Sequence, residues 1–151
     1  MVNTFGNFVL LGIFTLAVLS GLLGLSGCNT GISDKSLSYI SPADAAVSMR
    51  EGSSSLIGPE RKTVLVDPRQ SWAYQKTYIP SSMNIPYGQL KTQLWRLDEV
   101  GMIIVCGTTY DDSVAIAMSK TLLAMGYKDV RTVRGGLRAW EKAGEPVITE
   151  E

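Results

Sequence analysis

The chain has 151 residues, with 14 Lys+Arg against 14 Asp+Glu, two Cys and no His. Without His there is no Ser-His-Asp or Cys-His machinery and no His-ligated metal, and two Cys cannot build a disulfide scaffold or a four-thiolate zinc site. The balanced charge argues against a nucleic-acid partner, and the length suits a single domain.

The charge is unevenly spread. Residues Met1 to Gly27 contain no Asp, Glu, Lys or Arg, and the first charged side chain is Asp34. Within that segment, Phe8 to Leu25 is an apolar stretch of eighteen residues. As a helix it would be about 27 Å long, close to the hydrocarbon thickness of a bilayer. A permanent anchor and a cleaved export signal both fit that length. The end of the stretch favours export. Leu25-Ser26-Gly27-Cys28 resembles the lipobox of bacterial lipoproteins, in which small residues suit the peptidase site and the Cys becomes the lipidated N-terminus. The resemblance implies a signal peptide over residues 1–27 and a lipid on Cys28. It also implies a cell-envelope location facing the periplasm or the exterior. Asn29, rather than Asp, after the Cys fits the outer membrane. The small polar run Asn29 to Ser38 reads as a tether, giving a lipidated N-terminus and linker over residues 28–38.

The globular part, residues 39–149, alternates helical and strand patterns. Ser41-Pro42-Ala43-Asp44 is a helix start, with Ser as cap, Pro at the first helical position and Asp in the first turn. That helix should run to Arg50, and Glu51 to Lys62 is loop-like. Val64-Leu65-Val66 predicts a buried strand. Ser71 to Gln75 suits one helical turn, Met83-Asn84-Ile85 a short strand, and Tyr87 to Leu97 a helix. Met102 to Cys106 is apolar throughout, as in a strand covered on both faces. Ser113 to Met125 is the clearest helix. Val114, Ala117, Met118, Thr121, Leu122 and Met125 mark its packed face, and Gly126 stops it. Val130 to Val133 predicts a strand, Gly135-Gly136 a turn, and Leu137 to Ala143 a last helix. Strands alternating with helices predict a parallel α/β sheet, whose ligand sites lie at the carboxyl ends of strands.

The loop after the clearest strand is therefore the candidate site. Cys106 closes the strand, Gly107-Thr108-Thr109-Tyr110-Asp111-Asp112 makes the turn, and Ser113 opens the helix. A thiol facing a helix N-terminus meets the positive end of the dipole and free N–H groups, which should lower its pKa. The same N–H groups can hold an anion carried on sulfur. A small hydrophobe ending a buried strand is the plainer reading of Cys106. Asp111 and Asp112 should oppose the dipole by raising the thiol pKa, unless one of them serves as the helix cap. No phosphate loop, nucleotide fingerprint or metal-ligand spacing occurs, so neither cofactor nor metal is expected.

Five ordered blocks carry a wider resemblance: Val64 to Tyr74 with Asp67 and Arg69, Ile79 to Pro86, Ile104-Val105-Cys106, Gly126 to Val130, and Gly135-Gly136-Leu137-Arg138-Ala139-Trp140. Together they resemble a single rhodanese-like domain from about Tyr39 to Val147. The resemblance implies a five-stranded parallel sheet flanked by helices on both faces. It also implies a sulfurtransferase, in which sulfane sulfur from a small donor (thiosulfate or a persulfide) rests on Cys106 as a persulfide and moves on to a thiol or cyanide. Asp67 and Arg69 would form a supporting turn near the loop. The Cys106 loop departs from the family by having no Lys or Arg, by ending in Asp111-Asp112, and by being about one residue longer. Arg134 is the candidate to supply the missing positive charge. The acidic loop leaves open a second reading, an inert or weak rhodanese-like binding or sulfur-carrying module. The Cys-x5-Arg pattern of related phosphatases is not expected here, because Asp112 stands where their oxyanion-gripping Arg is needed. Trp72, Trp95 and Trp140 are expected as packing residues.

Overall fold

The computed structural model describes residues 31–51 and 62–150. The apolar N-terminal segment with Cys28 and most of the loop before Val64 lie outside them.

The first strand, β1 (Ser38–Ile40), leads into helix α1 (Pro42–Glu51). Ser41 caps α1 as expected: the Asp44 N–H donates to Ser41 Oγ at 3.1 Å, and Ser41 Oγ donates to Asp44 Oδ2 at 2.6 Å. Strand β2 (Lys62–Asp67) is followed by α2 (Ser71–Lys76), β3 (Thr77–Tyr78) and β4 (Met83–Asn84). Then come β5 (Val100–Val105), α3 (Ser113–Ala124), β6 (Asp129–Val133), α4 (Gly136–Lys142) and β7 (Ile148–Thr149). The main sheet has five parallel strands in the order β1-β6-β5-β2-β4. The sequence predicts this fold class, and the structure has it.

Alternation along the central strands sorts the core into two layers. Leu65, Met102, Ile104 and Cys106 face one side, where Ala45 and Ala46 of α1 and Leu137 and Trp140 of α4 cover them. Val64, Val66, Ile103 and Val105 face the other, under Ala115, Met118 and Leu122 of α3 together with Leu90 and Leu97. Each of these large side chains contributes about 2 kcal/mol on burial.

Several expectations are corrected. Tyr87 to Leu97 is not one helix but two 3-10 segments, Tyr87–Thr92 and Leu94–Leu97. Thr92 Oγ1 donates to Gln89 O, and Arg96 Nη1 donates to Asn84 O at 2.9 Å, so side chains and the neighbouring strand hold the tighter turns. The packed face of α3 is rotated from the predicted one: Val114 and Met125 are exposed, while Ala115, Met118, Ser119 and Leu122 are buried. Ser119 is admitted because its hydroxyl bonds Thr132 Oγ1 at 2.8 Å. Part of the segment expected as a tether is structured, with a 3-10 turn at Asp34–Ser36 held by Lys120 and β1 starting at Ser38. Strands β3 and β7 form a separate antiparallel pair that the sequence did not suggest. Trp140 packs in the core as expected, but Trp72 and Trp95 are exposed, at 65% and 70%. Among the described residues no helix is long and apolar enough to cross a membrane.

Candidate functional site

Cys106 follows the last residue of β5, near the centre of the sheet, and its N–H donates to Val66 O on β2 at 2.9 Å. Continuing the strand's alternation turns its side chain into the layer under α1 and α4, where it is 1% exposed. Its Sγ donates weakly to Gly107 O at 3.7 Å. The turn Gly107–Asp112 then climbs to α3, which Ser113 opens.

Asp112 is the helix cap. Its Oδ1 accepts the N–H groups of Val114 at 2.9 Å and Ala115 at 3.0 Å, and its Oδ2 accepts the Thr108 N–H at 2.6 Å. The carboxylate therefore occupies the positive end of α3 and ties it back to the loop. Gly107 makes room for this arrangement, because a Cβ there would lie 2.5 Å from the Asp112 carboxyl carbon. Asp111 is exposed.

The expected lowering of the thiol pKa does not occur. Burial pushes the Cys106 thiol far above its ordinary value, and the Asp67 carboxylate adds to that rise. Arg69 opposes it, and Asp112 adds a smaller push. Two placements explain the reversal. The sulfur points into an apolar layer that penalises a charge, and the N–H groups that would have stabilised a thiolate are already given to Asp112.

Asp67 and Arg69 form the supporting turn predicted for them. Arg69 Nε donates to both carboxylate oxygens of Asp67 at 2.9 Å, and Nη2 donates to Oδ2 at 2.6 Å. Arg69 Nη2 also donates to Thr77 O at 2.6 Å. Both side chains are largely buried, at 6% and 11% exposed, so the pair is bidentate and well shielded. It fixes the end of β2 beside Cys106.

Helix α4 holds the loop from its other side. The Leu137 N–H donates to Gly107 O at 2.8 Å and the Arg138 N–H to Thr108 O at 3.2 Å. This contact requires Gly136: at φ 59°, a Cβ there would lie 2.7 Å from Gly107 O, 2.7 Å from Thr108 C and 2.8 Å from Thr109 N. The Gly-Gly pair, expected as a turn, is thus also the seat of the Cys106 loop.

Arg134 reaches the loop as the sequence suggested. It follows β6, and its Nη1 donates to the Tyr110 hydroxyl at 2.6 Å. Its guanidinium lies 4.6 Å from the Tyr39 ring centroid and 5.7 Å from that of Tyr110. Sequence reasoning placed Tyr110 in the candidate loop but not against Arg134, and it missed Tyr39. No local pattern marks their meeting, because strand pairing and the loop path bring them together. Thr109 and Ser113 lie along the loop and its exit. Cys28 lies outside the described residues. Among the described residues no group of His, Cys, Asp and Glu is arranged to hold a metal ion.

Comparison with known proteins agrees with this architecture. The rhodanese-like domain pattern matches residues 54–143. A curated relative, the adenylyltransferase and sulfurtransferase UBA4 of Candida albicans, is 26% identical over 95 residues, covering 57% of this chain and 21% of that protein. The corresponding protein of Meyerozyma guilliermondii is 26% identical over 86 residues, covering 51% of this chain and 20% of its own. The chain thus spans about a fifth of the length of these relatives. In fold it is similar to the BH2092 protein of Bacillus halodurans, with TM-score 0.61, 21% identity, and 76% and 79% of the two chains covered. It is also similar to a thiosulfate sulfurtransferase of Pseudomonas aeruginosa, with TM-score 0.61, 24% identity, and 76% of this chain and 20% of that one covered. With the family pattern spanning more than half of the sequence and the sheet, Cys106 loop and Gly-Gly seat in place, the chain belongs to the rhodanese-like domain family.

Proposed function

We propose that the protein is a membrane-tethered rhodanese-type sulfur carrier, with Cys106 as the sulfur-bearing residue and a lipid on Cys28 as the tether. The observation that carries this reading is the position of Cys106 in a rhodanese-like domain: at the carboxyl end of a central strand, under a loop that α3 and α4 both hold. In the forward step the Cys106 thiolate attacks the outer sulfur of a persulfide R–S–SH. The donor S–S bond breaks, R–S leaves and takes the proton, and Cys106 becomes a persulfide. A thiol or cyanide then attacks the outer sulfur and releases the Cys106 thiolate. No electron is gained or lost overall, and no cofactor is required. Burial of the thiol means that the loop must open before attack. Thiosulfate is disfavoured as donor, because its compact double charge would enter a loop carrying Asp111 and Asp112 and no cation.

The tether rests on Leu25-Ser26-Gly27-Cys28 after the apolar stretch. Such an anchor would hold the domain at a cell-envelope surface facing the periplasm or the exterior.

One observation favours a second reading, a passive rhodanese-like module: the thiol is buried and strongly held in its neutral form. Incubation with an organic persulfide, followed by intact-mass analysis, separates the two. The carrier reading expects a mass gain of one sulfur atom on the wild type, lost in Cys106→Ser and discharged by cyanide. Absence of that adduct on folded wild-type protein would establish the passive module.

A further inference from the structure

We infer that Arg134, lying over the Tyr39 ring and bonded to the Tyr110 hydroxyl at the mouth of the Cys106 loop, recognises the carboxylate of an organic persulfide donor; this deepens, and rests on, the sulfur-carrier reading.

The placement follows from register. Strand β6 pairs with β5 so that Thr132 lies opposite Val105. Two residues further along each strand direction, Arg134 comes level with Gly107, one position past Cys106, on strands about 4.8 Å apart. The Arg134 N–H donates to Ile40 O at 2.9 Å, which fixes its backbone between the ends of β6 and β1. Its side chain then has two aromatic neighbours, one from β1 and one from the loop itself.

A guanidinium held over a ring by cation–π attraction still has N–H groups free to bond. One of these donates to the Tyr110 hydroxyl, and the rest have no carboxylate partner among the described residues. By contrast, Arg69 is paired with Asp67 and Arg131 with Asp129. Arg138, four residues further on and within α4, is also exposed and lies outside those ion pairs. The loop's inner charge is in a different state: Asp112 is spent on three N–H groups. The geometry therefore separates two zones. The rim carries the Arg134 guanidinium and two aromatic rings, with the exposed Asp111 next in sequence to Tyr110, and the inner loop carries the Asp112 carboxylate. A donor that carries its charge several bonds from its reactive sulfur fits both zones, with a carboxylate on Arg134 and a small terminal sulfur entering the loop. A donor whose charge surrounds the reactive sulfur does not fit.

The test uses two thiol-directed methanethiosulfonates of similar size and opposite charge, the sulfonatoethyl and trimethylammonioethyl reagents, on the full chain. Each forms a mixed disulfide with Cys106 and releases methanesulfinate. The anionic-to-cationic rate ratio, referred to that of free cysteine, is expected to exceed one. It should fall about fivefold in Arg134→Gln, the scale of one exposed charge pair, and fall also with added salt. With a carboxylate-bearing persulfide, Arg134→Gln should raise KM and leave kcat nearly unchanged. An unchanged rate ratio in Arg134→Gln overturns the inference, whether or not Cys106 carries sulfur. Where Cys106 resists both reagents, glutathione titration followed by NMR decides. A saturable shift of the Tyr39 and Tyr110 ring resonances, lost in Arg134→Gln, supports the assignment, and its absence overturns it. Failure of the persulfide adduct rejects the sulfur-carrier reading and with it the persulfide as donor, and an Arg134-dependent rate ratio would then retain only a carboxylate contact at Arg134.

Discussion

Burial sets the resting state of Cys106, and Asp112 reinforces it although the two side chains share no bond. By capping α3 and bonding the Thr108 N–H, it closes the anion-binding end of the helix with the protein's own carboxylate. The sulfur lies in an apolar layer and stays protonated. The folded thiol therefore holds its proton at a pH where the unfolded thiol, at about 8.5, has lost it. Above that pH the native state binds more protons than the unfolded state, so stability falls as pH rises, by about 1.4 kcal/mol per unit from this group alone. Below it, the group contributes no slope. Denaturant unfolding between pH 7 and 10 should show this decline, and Cys106→Ser should flatten it. Iodoacetamide should label native Cys106 far more slowly than the unfolded chain, with a rate still climbing past pH 9. Asp112→Asn keeps an oxygen to cap Val114 and Ala115 but replaces the acceptor for Thr108 with a donor and removes a charge. Labelling should then accelerate modestly, because Asp112 is the smallest of the three charges acting on the thiol. An unaltered rate would show that Asp112 does not control access to the sulfur.

At the level of elements, α4 is as important to the site as the strand that carries Cys106. Its first N–H groups bond the loop carbonyls, and Gly136 allows the approach. Gly136→Ala would force a side chain against three backbone atoms at a positive φ. The expected cost is about 2–3 kcal/mol, read as a fall in Tm of roughly 10 °C or more for a domain of this size. Gly88→Ala is the control, because open space surrounds that position, and its Tm should stay within a few degrees. Equal melting of the two variants would dismiss the seat. The same level shows where pattern reading reaches its limit. The strand and helix around the Cys106 loop were legible because their apolar residues are nearly continuous. The 3-10 segments after β4 were not: Leu90 and Leu97 are seven residues apart and satisfy a helical period, while Arg96 and Thr92 draw the chain into tighter turns through partners elsewhere. The face of α3 was misjudged by about one position. A buried Ser119 is acceptable only because Thr132 arrives from β6.

For the whole molecule, two unlike segments share one chain, an uncharged apolar N-terminus and a charged α/β domain. The tether reading predicts that wild-type protein incorporates labelled palmitate and partitions into detergent. Cys28→Ser should do neither and should accumulate at precursor size. Equal incorporation by the two would reject lipidation at Cys28. Among the described residues Cys106 is buried within a core layer and is a free thiol. The sequence by itself determined the α/β class, the succession of the central strands, the loop after Cys106 and the family. These depend on local periodicity and on short blocks whose order survives without any knowledge of contacts. Only the tertiary structure decided the direction of the Cys106 thiol shift, the occupation of the α3 terminus by Asp112, the seating of the loop on Gly136 and the meeting of Arg134 with Tyr39 and Tyr110. Each of these is a relation between segments distant in sequence, or a matter of which face a side chain takes. Burial and hydrogen-bond competition settle such relations only when the strands are side by side.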